Sequence, residues 1–339
     1  MKRKELMNAI EKAIAVAKNE TEIGNQADLI HFNTSEIVVY SDLMTISVPF
    51  DTELKCSVKA SSLLDIVNSI EMDEINIKQE KNKLVFNFET NDGIVTTAQL
   101  TSFNSETSNE WPELPEKWHK LNKDFLDGVT YVMDSTDKGR SFSNILSTIY
   151  IDKNAVIASD NTKISTYFFN DTCPIDLILP SEFAKKIVDF ELEFIAVDKA
   201  WIHFKTTNDV IISYRKITLE YPEQIVELGK TELNGTELKL TGNFKKLIDN
   251  GKIFSKQEDG SSVVSITITK NKIVCSSSAS TGKVVSETKV KYDGEKISFN
   301  INPKLLEKMF KMSNPYIVHS DSKIEITTEN IKYLIALMV

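Results

Sequence analysis

Three times along this chain of 339 residues the same order recurs: an amphipathic helix pattern, a run of strands, a second helix pattern, more strands. The first helix pattern begins near Lys2, Asn122 and Gly242, and the second near Lys59, Ser181 and Pro303. Both sets are spaced by about 120 residues, and a fixed period in a long chain constrains architecture before anything else. Each period is long enough to bury a core of its own. The aromatic-Pro-Glu triplet Trp111-Pro112-Glu113 returns as Tyr221-Pro222-Glu223 and punctuates the repeats independently of the helices. Three domains are therefore expected, over 1–115, 116–226 and 227–339.

The local patterns give each repeat its content. Residues 2–19 predict a helix with Met7, Ile10, Ile14 and Ala17 on one face. Ile37–Tyr40, Met44–Val48 and Leu54–Val58 are β-branched strand runs, and residues 59–70 carry Leu63, Leu64, Val67 and Ile70 at helical spacing. Asn91-Asp92-Gly93 is a hairpin-turn candidate, because Asp-Gly tolerates the positive φ of such turns. Helices are expected over 122–134, 181–190 and 243–256, and Asn302-Pro303 reads as an N-cap followed by the first residue of a last helix. The chain finishes with a strand over 323–328 and an apolar strand over 333–338. Connections are mostly too short for parallel crossovers, so the expected class is α+β, with two helices per repeat packed on one side of antiparallel sheets.

Motifs for catalysis are missing from the sequence: no P-loop, GxGxxG, HExxH, GxSxG or CxxC occurs. His31, His119, His203 and His319 are scattered, and none has a carboxylate or cysteine at ligand spacing. The expectation is a non-enzyme with no catalytic residues, no metal and no cofactor. Cys56, Cys173 and Cys275 lie far apart in strand-like runs and read as buried thiols of a reducing compartment. The charged amphipathic start and the lack of a long apolar run point to a cytoplasmic protein without a membrane span.

Net charge is −9, yet positive charge gathers on helix patterns. Residues 2–19 hold Lys2, Arg3, Lys4, Lys12 and Lys18 against Glu5 and Glu11. Residues 243–256 hold Lys245, Lys246, Lys252 and Lys256 against Asp249, and Lys304, Lys308 and Lys311 form a stripe at helical spacing. Lysine is a common solvated helix residue, so one meaning is solubility. The other is loose contact with phosphates without sequence preference, for which lysine is suited as a mobile point charge. The 59–70 segment and Asp124, Asp127, Asp134 and Asp137 do not share the basic character.

The chain resembles the bacterial sliding clamp, the β subunit of DNA polymerase III. The threefold order matches over essentially its whole length. Ala158-Ser-Asp160-Asn-Thr-Lys163-Ile164, Ile178-Leu-Pro180-Ser-Glu-Phe183, Tyr221-Pro222-Glu223, Phe299-Asn-Ile-Asn302-Pro-Lys-Leu-Leu306 and the tail from Tyr333 to Val339 carry the local likeness. The tail lacks the family's usual Pro-Met-Arg-Leu ending, and the first domain matches only in element order, so a divergent member, of phage or mobile-element type, is implied. The resemblance implies a homodimer closing into a ring around duplex DNA, with Lys4, Lys12, Lys245, Lys252, Lys304, Lys308 and Lys311 facing the DNA. It also implies a replicative polymerase and a clamp loader docking by short peptide motifs. Their pocket would comprise Thr162, Ile164, Pro222, Ile225, Val226, Leu334, Ala336 and Met338. The alternative is a non-catalytic repeat protein acting as a structural or interaction scaffold.

Overall fold

The computed structural model describes residues 1–17, 29–89, 92–103, 111–137, 144–238, 243–312 and 315–338. Lys18 and Asn91 lie outside them. The first repeat runs α1 (Arg3–Ala17), β1 (Leu29–Asn33), β2 (Glu36–Tyr40), β3 (Met44–Pro49), β4 (Lys55–Lys59), α2 (Ala60–Ser69), β5 (Asn76–Glu80), β6 (Lys83–Glu89) and β7 (Val95–Phe103). The second runs β8 (His119–Lys120), α3 (Phe125–Met133), β9 (Thr148–Ile151), β10 (Ala155–Ser159), β11 (Lys163–Phe168), β12 (Leu177–Pro180), α4 (Ser181–Ile187), β13 (Leu192–Val197), β14 (Trp201–Thr206) and β15 (Ile211–Arg215). After α5 (Glu223–Lys230) come β16 (Thr236–Leu238), α6 (Phe244–Gly251), β17 (Val264–Thr269), β18 (Lys272–Ala279), β19 (Gly282–Lys289) and β20 (Ile297–Ile301). Two 3-10 turns, Pro303–Leu306 and Met309–Lys311, lead into β21 (Tyr316–His319), β22 (Lys323–Thr327) and β23 (Ile331–Ala336).

Strand order shows the threefold repeat directly. The arrangement β4-β1-β2-β3 recurs as β12-β9-β10-β11 and as β20-β17-β18-β19. The trio β5-β6-β7 recurs as β13-β14-β15 and β21-β22-β23. All pairings are antiparallel, and two of them join successive repeats edge to edge. In one, β3 takes β15, from Ile211↔Ser47 to Tyr214↔Met44. In the other, β11 takes β23, from Lys163↔Ile335 to Tyr167↔Ile331. Among the described residues the result is an eleven-stranded sheet and an eight-stranded sheet, and the third repeat also has a four-stranded one. By the same rule β19 and β7 are the strands left over. Among the described residues, β19 ends its sheet, and β7 has no second neighbour over 95–101, since β4 meets it only at Ser102 and Phe103.

The chain forms two compact units, residues 1–122 with 182–218 and residues 123–181 with 219–339. In the first unit α1 and α2 touch each other, and α1 lies on β2 and β3. Its buried stripe is Leu6, Ala9, Ile10 and Ala13, with Met7 and Ile14 only half-buried, so the helix is rotated from the expected face. Leu6, Ile10 and Ala13 follow one another at the four- and three-residue spacing of a single helix face. Residues 111–118 pass over the eleven-stranded sheet and pin it at two points. Trp111 meets His31 of β1 edge-on at 5.8 Å, and Trp118 meets His203 of β14 at 6.3 Å.

The second unit carries two corrections to the expected helices. The last helix is a pair of 3-10 turns. Asn302 does cap it, accepting a hydrogen bond from the Lys304 amide at 3.0 Å, with Pro303 next. The buried residues, however, are Pro303, Leu306 and Met309, and a spacing of three suits the three-residue turn. The other correction is α5, which begins at the Tyr221-Pro222-Glu223 triplet expected to be a break. Pro222 stands at its N-cap, where a missing N–H costs no helix hydrogen bond, and Glu223 in the first turn and Lys230 in the last are both favourable to the helix dipole.

In the third repeat α6 buries Phe244, Leu247, Ile248 and Gly251 against β18 and β19. A Cβ on Gly251 would lie 2.5 Å from Cys275 Sγ and 3.2 Å from Val264. Helix propensity alone favours alanine over glycine by about 1 kcal/mol. Overpacking costs about 1–3 kcal/mol, so the sign should reverse here. Gly251→Ala is expected to lower the urea midpoint, and adding Cys275→Ala to recover part of the loss; a Gly251→Ala variant as stable as the parent would refute the close packing.

Candidate functional site

The junction between β11 and β23 builds one continuous face on the eight-stranded sheet. Ile164 stands opposite Leu334, and Thr166 opposite Lys332. Glu325 and Thr327 continue the two rows on β22. On this face Ala155, Ile157, Ile164 and Leu334 form a buried apolar cluster, and Ile225 and Val226 of α5 pack onto it. Four of the expected pocket residues are thus brought together. Thr162 and Ala336 lie exposed at the end of the same strands, with the Ala336 amide donating to the Thr162 carbonyl at 2.9 Å. Pro222 is half-buried at the N-cap of α5, and its carbonyl accepts from the Ile225 amide at 3.0 Å. Met338 is exposed two residues beyond Ala336, and its amide donates to the Asn300 carbonyl of β20 at 3.1 Å.

Tyr150, Phe168 and Leu233 complete the cluster and were not legible as site residues. Tyr150 packs at 5.4 Å on Tyr221, which opens the approach to α5. At the rim, burial works against the Asp160 carboxylate, but donors from Lys163 and Thr162 outweigh it and hold its pKa below the ordinary value. The face therefore offers apolar side chains from a rigid sheet and one helix, with a fixed charged pair beside them. That combination can anchor the apolar side chains of an extended peptide.

The lysines of the basic helix patterns divide by environment. Lys4, Lys12, Lys245, Lys304 and Lys311 are exposed. Lys252 is held by Glu307 at 2.9 Å and Asp249 at 3.1 Å, which offsets its charge locally. Lys308 turns inward. Its ammonium donates to the Tyr131 carbonyl and to Ser165 Oγ, and lies 3.9 Å from the centre of the Tyr131 ring. The 3-10 turns separate it from the stripe it would share with Lys304 and Lys311 on an α-helix.

No protein-family model matches the chain, and no curated protein sequence does. Solved structures do. The DNA polymerase sliding clamp of Bacillus subtilis superposes with a TM-score of 0.81 at 14% identity, over 100% of this chain and 98% of that one. The DNA polymerase III β chain of Streptococcus pneumoniae gives 0.80 at 15%, covering 100% and 98%. The Helicobacter pylori β clamp, bound to a DNA ligase peptide, gives 0.78 at 16%, covering 100% and 99%. The chain has the sliding-clamp fold.

Within this clamp fold the histidines find partners that sequence spacing did not reveal. His203 Nδ1 lies 2.8 Å from Ser213 Oγ, its cross-strand neighbour, and Nε2 lies 3.3 Å from Asp198 Oδ2. The trio has the connectivity of a hydrolytic triad. His203 is 0% and Ser213 2% exposed, so no substrate reaches the hydroxyl. Burial lowers the His203 pKa, and Asp198 opposes the shift. His31 repeats the device, with Nδ1 2.7 Å from Ser57 Oγ and burial lowering its pKa to about 4. Both pairs fasten strands beneath the tryptophans. The three cysteines are buried and unpaired, and burial pushes each thiol up to about 11. Among the described residues no three metal-ligating side chains converge, and no helix is long and apolar enough to cross a membrane.

Burial lowers the Lys308 pKa from 10.5 to about 7; Asp134 opposes the shift, and Lys163 and Lys311 reinforce it. The unfolded chain then binds more protons than the folded one between these values. The penalty for burying the charge is present in full below pH 7 and fades as pH rises towards 10.5. Relative to Lys308→Met, the parent should therefore gain stability with rising pH across this window, by at most about 1.4 kcal/mol per pH unit. Urea midpoints at pH 6, 7.5 and 9 measure this, and a difference that stays constant would refute the buried charge.

Proposed function

We propose that the chain is a processivity clamp for a replicative DNA polymerase, with no chemistry of its own. Two copies pair head to tail, the closed dimer encircles duplex DNA, and the polymerase and clamp loader dock through short peptides on the α5 face. The observation that carries this proposal is the pair of free strand edges. Successive repeats within the chain join by β3·β15 and β11·β23. The same join made between copies would pair β19 of one protomer with β7 of its partner, twice. Val95 on β7 is 77% exposed and Val285 on β19 is 57% exposed, which is costly on a free edge and natural at a covered one. Three domains, at 1–115, 116–226 and 227–339, and a cytoplasmic location in keeping with three free buried thiols belong to the same proposal.

A topological link explains why an acidic chain of net charge −9 can serve DNA. Encirclement needs no tight grip, so a few lysine–phosphate contacts, some through water, suffice and permit sliding. Lys4, Lys12, Lys245, Lys304 and Lys311 are proposed to make them, with Lys252 shared with its carboxylates and Lys308 held within the chain. Tethering the polymerase then raises its effective concentration at the template. The Helicobacter pylori clamp carries a DNA ligase peptide. A peptide of that general kind is proposed for the cluster of Ile164, Leu334, Ile225 and Val226, with Thr162, Pro222, Ala336 and Met338 around it.

Assembly is checked by analytical ultracentrifugation. A mass near twice 38.3 kDa is expected, and Val95→Lys with Val285→Lys should give a folded monomer by setting like charges against each other. A parent that remains monomeric at micromolar concentration would favour the scaffold alternative. For DNA, changing the five exposed lysines to glutamine should flatten the salt dependence of duplex binding, by roughly one unit of slope for each phosphate no longer neutralised, equally for all sequences. For the peptide face, Ile225→Ala should weaken binding of the ligase peptide by about 1–2 kcal/mol, read by fluorescence anisotropy.

A further inference from the structure

We propose that Lys332 is the positioning residue of the peptide face: from inside the eight-stranded sheet it holds the last turn of α5, and so fixes where Ile225 and Val226 meet Ile164 and Leu334. The inference rests on the peptide-site proposal above and deepens it. Lys332 is 3% exposed and is the one charged residue of the otherwise apolar β23. Its ammonium donates to the Leu228 carbonyl at 3.1 Å and to the Thr231 carbonyl. These belong to the C-terminal turn of α5 and the residue that caps it. A helix leaves its last carbonyls without intrahelical partners, and a cation there is favoured by the helix dipole. Thr166, directly across the strand pair from Lys332, donates to the Gly229 carbonyl between them at 3.0 Å. A Cβ on Gly229 would lie 2.9 Å from Thr166 Oγ1, so the helix end lies flush on the sheet.

The charge of Lys332 is met by Glu325, 3.0 Å away and 4% exposed. Glu325 also accepts from the Leu233 amide at 2.9 Å and from the Thr327 hydroxyl at 3.2 Å. The pair thus grips the chain on both sides of Thr231, and Leu233 is itself a member of the apolar cluster. A buried ion pair contributes little net stability compared with an apolar substitute, but it dictates geometry, because each charge must keep its partner. Neither group reaches the exposed rim, so their effect on a ligand is exerted through α5.

The test uses the full-length protein with two readouts. In Lys332→Met, hydrogen exchange of the α5 amides should speed up by at least about tenfold while those of β10, β11 and β23 keep their protection. The fluorescein-labelled DNA ligase peptide of the Helicobacter pylori complex should bind about tenfold more weakly than to the parent, and Lys332→Arg should restore most of the affinity. The double variant Lys332→Met with Glu325→Leu removes the uncompensated charge and serves if the single variant fails to fold. Unchanged α5 exchange in a folded variant overturns the proposal, as does unchanged affinity where the parent binds. If the parent itself does not bind the peptide, the peptide-site proposal falls, and α5 exchange alone decides whether Lys332 positions the helix.

Discussion

A strand at the edge of a sheet presents a row of amides and carbonyls that only water or another strand can satisfy. How this chain meets that demand organises everything else in it. Each repeat presents one such edge from its first strand set and one from its second. Inside the chain, β3 pairs with β15 and β11 with β23, and among the described residues β19 and most of β7 are left without the corresponding partner. This is why the compact units part the middle repeat near Ser181: its two halves belong to different sheets, each shared with a neighbouring repeat.

The same pairing creates the site. Ile164 and Leu334 are remote in sequence and become neighbours only because β11 and β23 are hydrogen-bonded in that register. A slip of β23 by one residue would turn Leu334 away from Ile164 and α5 and bring Tyr333 or Ile335 to the face instead. The face is therefore a property of the junction between repeats, which no single repeat possesses. The polar groups around it, Lys332 and Glu325 included, follow the same register.

The order of elements was legible because periods of 2 and 3.6 residues differ clearly over windows of this length. The phase of α1 was not, since alanines at 9 and 13 compete weakly with Met7 and Ile14 in any hydrophobic count, yet both alanines are buried while Met7 and Ile14 are only half-buried. The 3-10 turns at Pro303 and Met309 looked like a helix because Leu305, Leu306 and Met309 fit either period. Pro222 suggested a break, although the same proline opens α5, and that helix supplies half of the apolar residues proposed to meet a peptide. Ile164, Leu334, Ile225 and Val226 came from family resemblance rather than pattern. Lys308 shows the limit most clearly. Its direction is set by Tyr131 and Ser165, which belong to another repeat, and no local spacing encodes that.

The strap that crosses the eleven-stranded sheet has a consequence for how the molecule can be watched. Trp111 and Trp118 lie on that strap, and Trp201 lies on β14 beneath the guanidinium of Arg215. The chain has 3 tryptophans, and all of them fall within the unit of residues 1–122 and 182–218. Indole emission is accordingly a private signal of that unit. The other unit, which holds the α5 face and the third repeat, is spectroscopically tyrosine-only, so the two bodies are already labelled apart by their own chromophores.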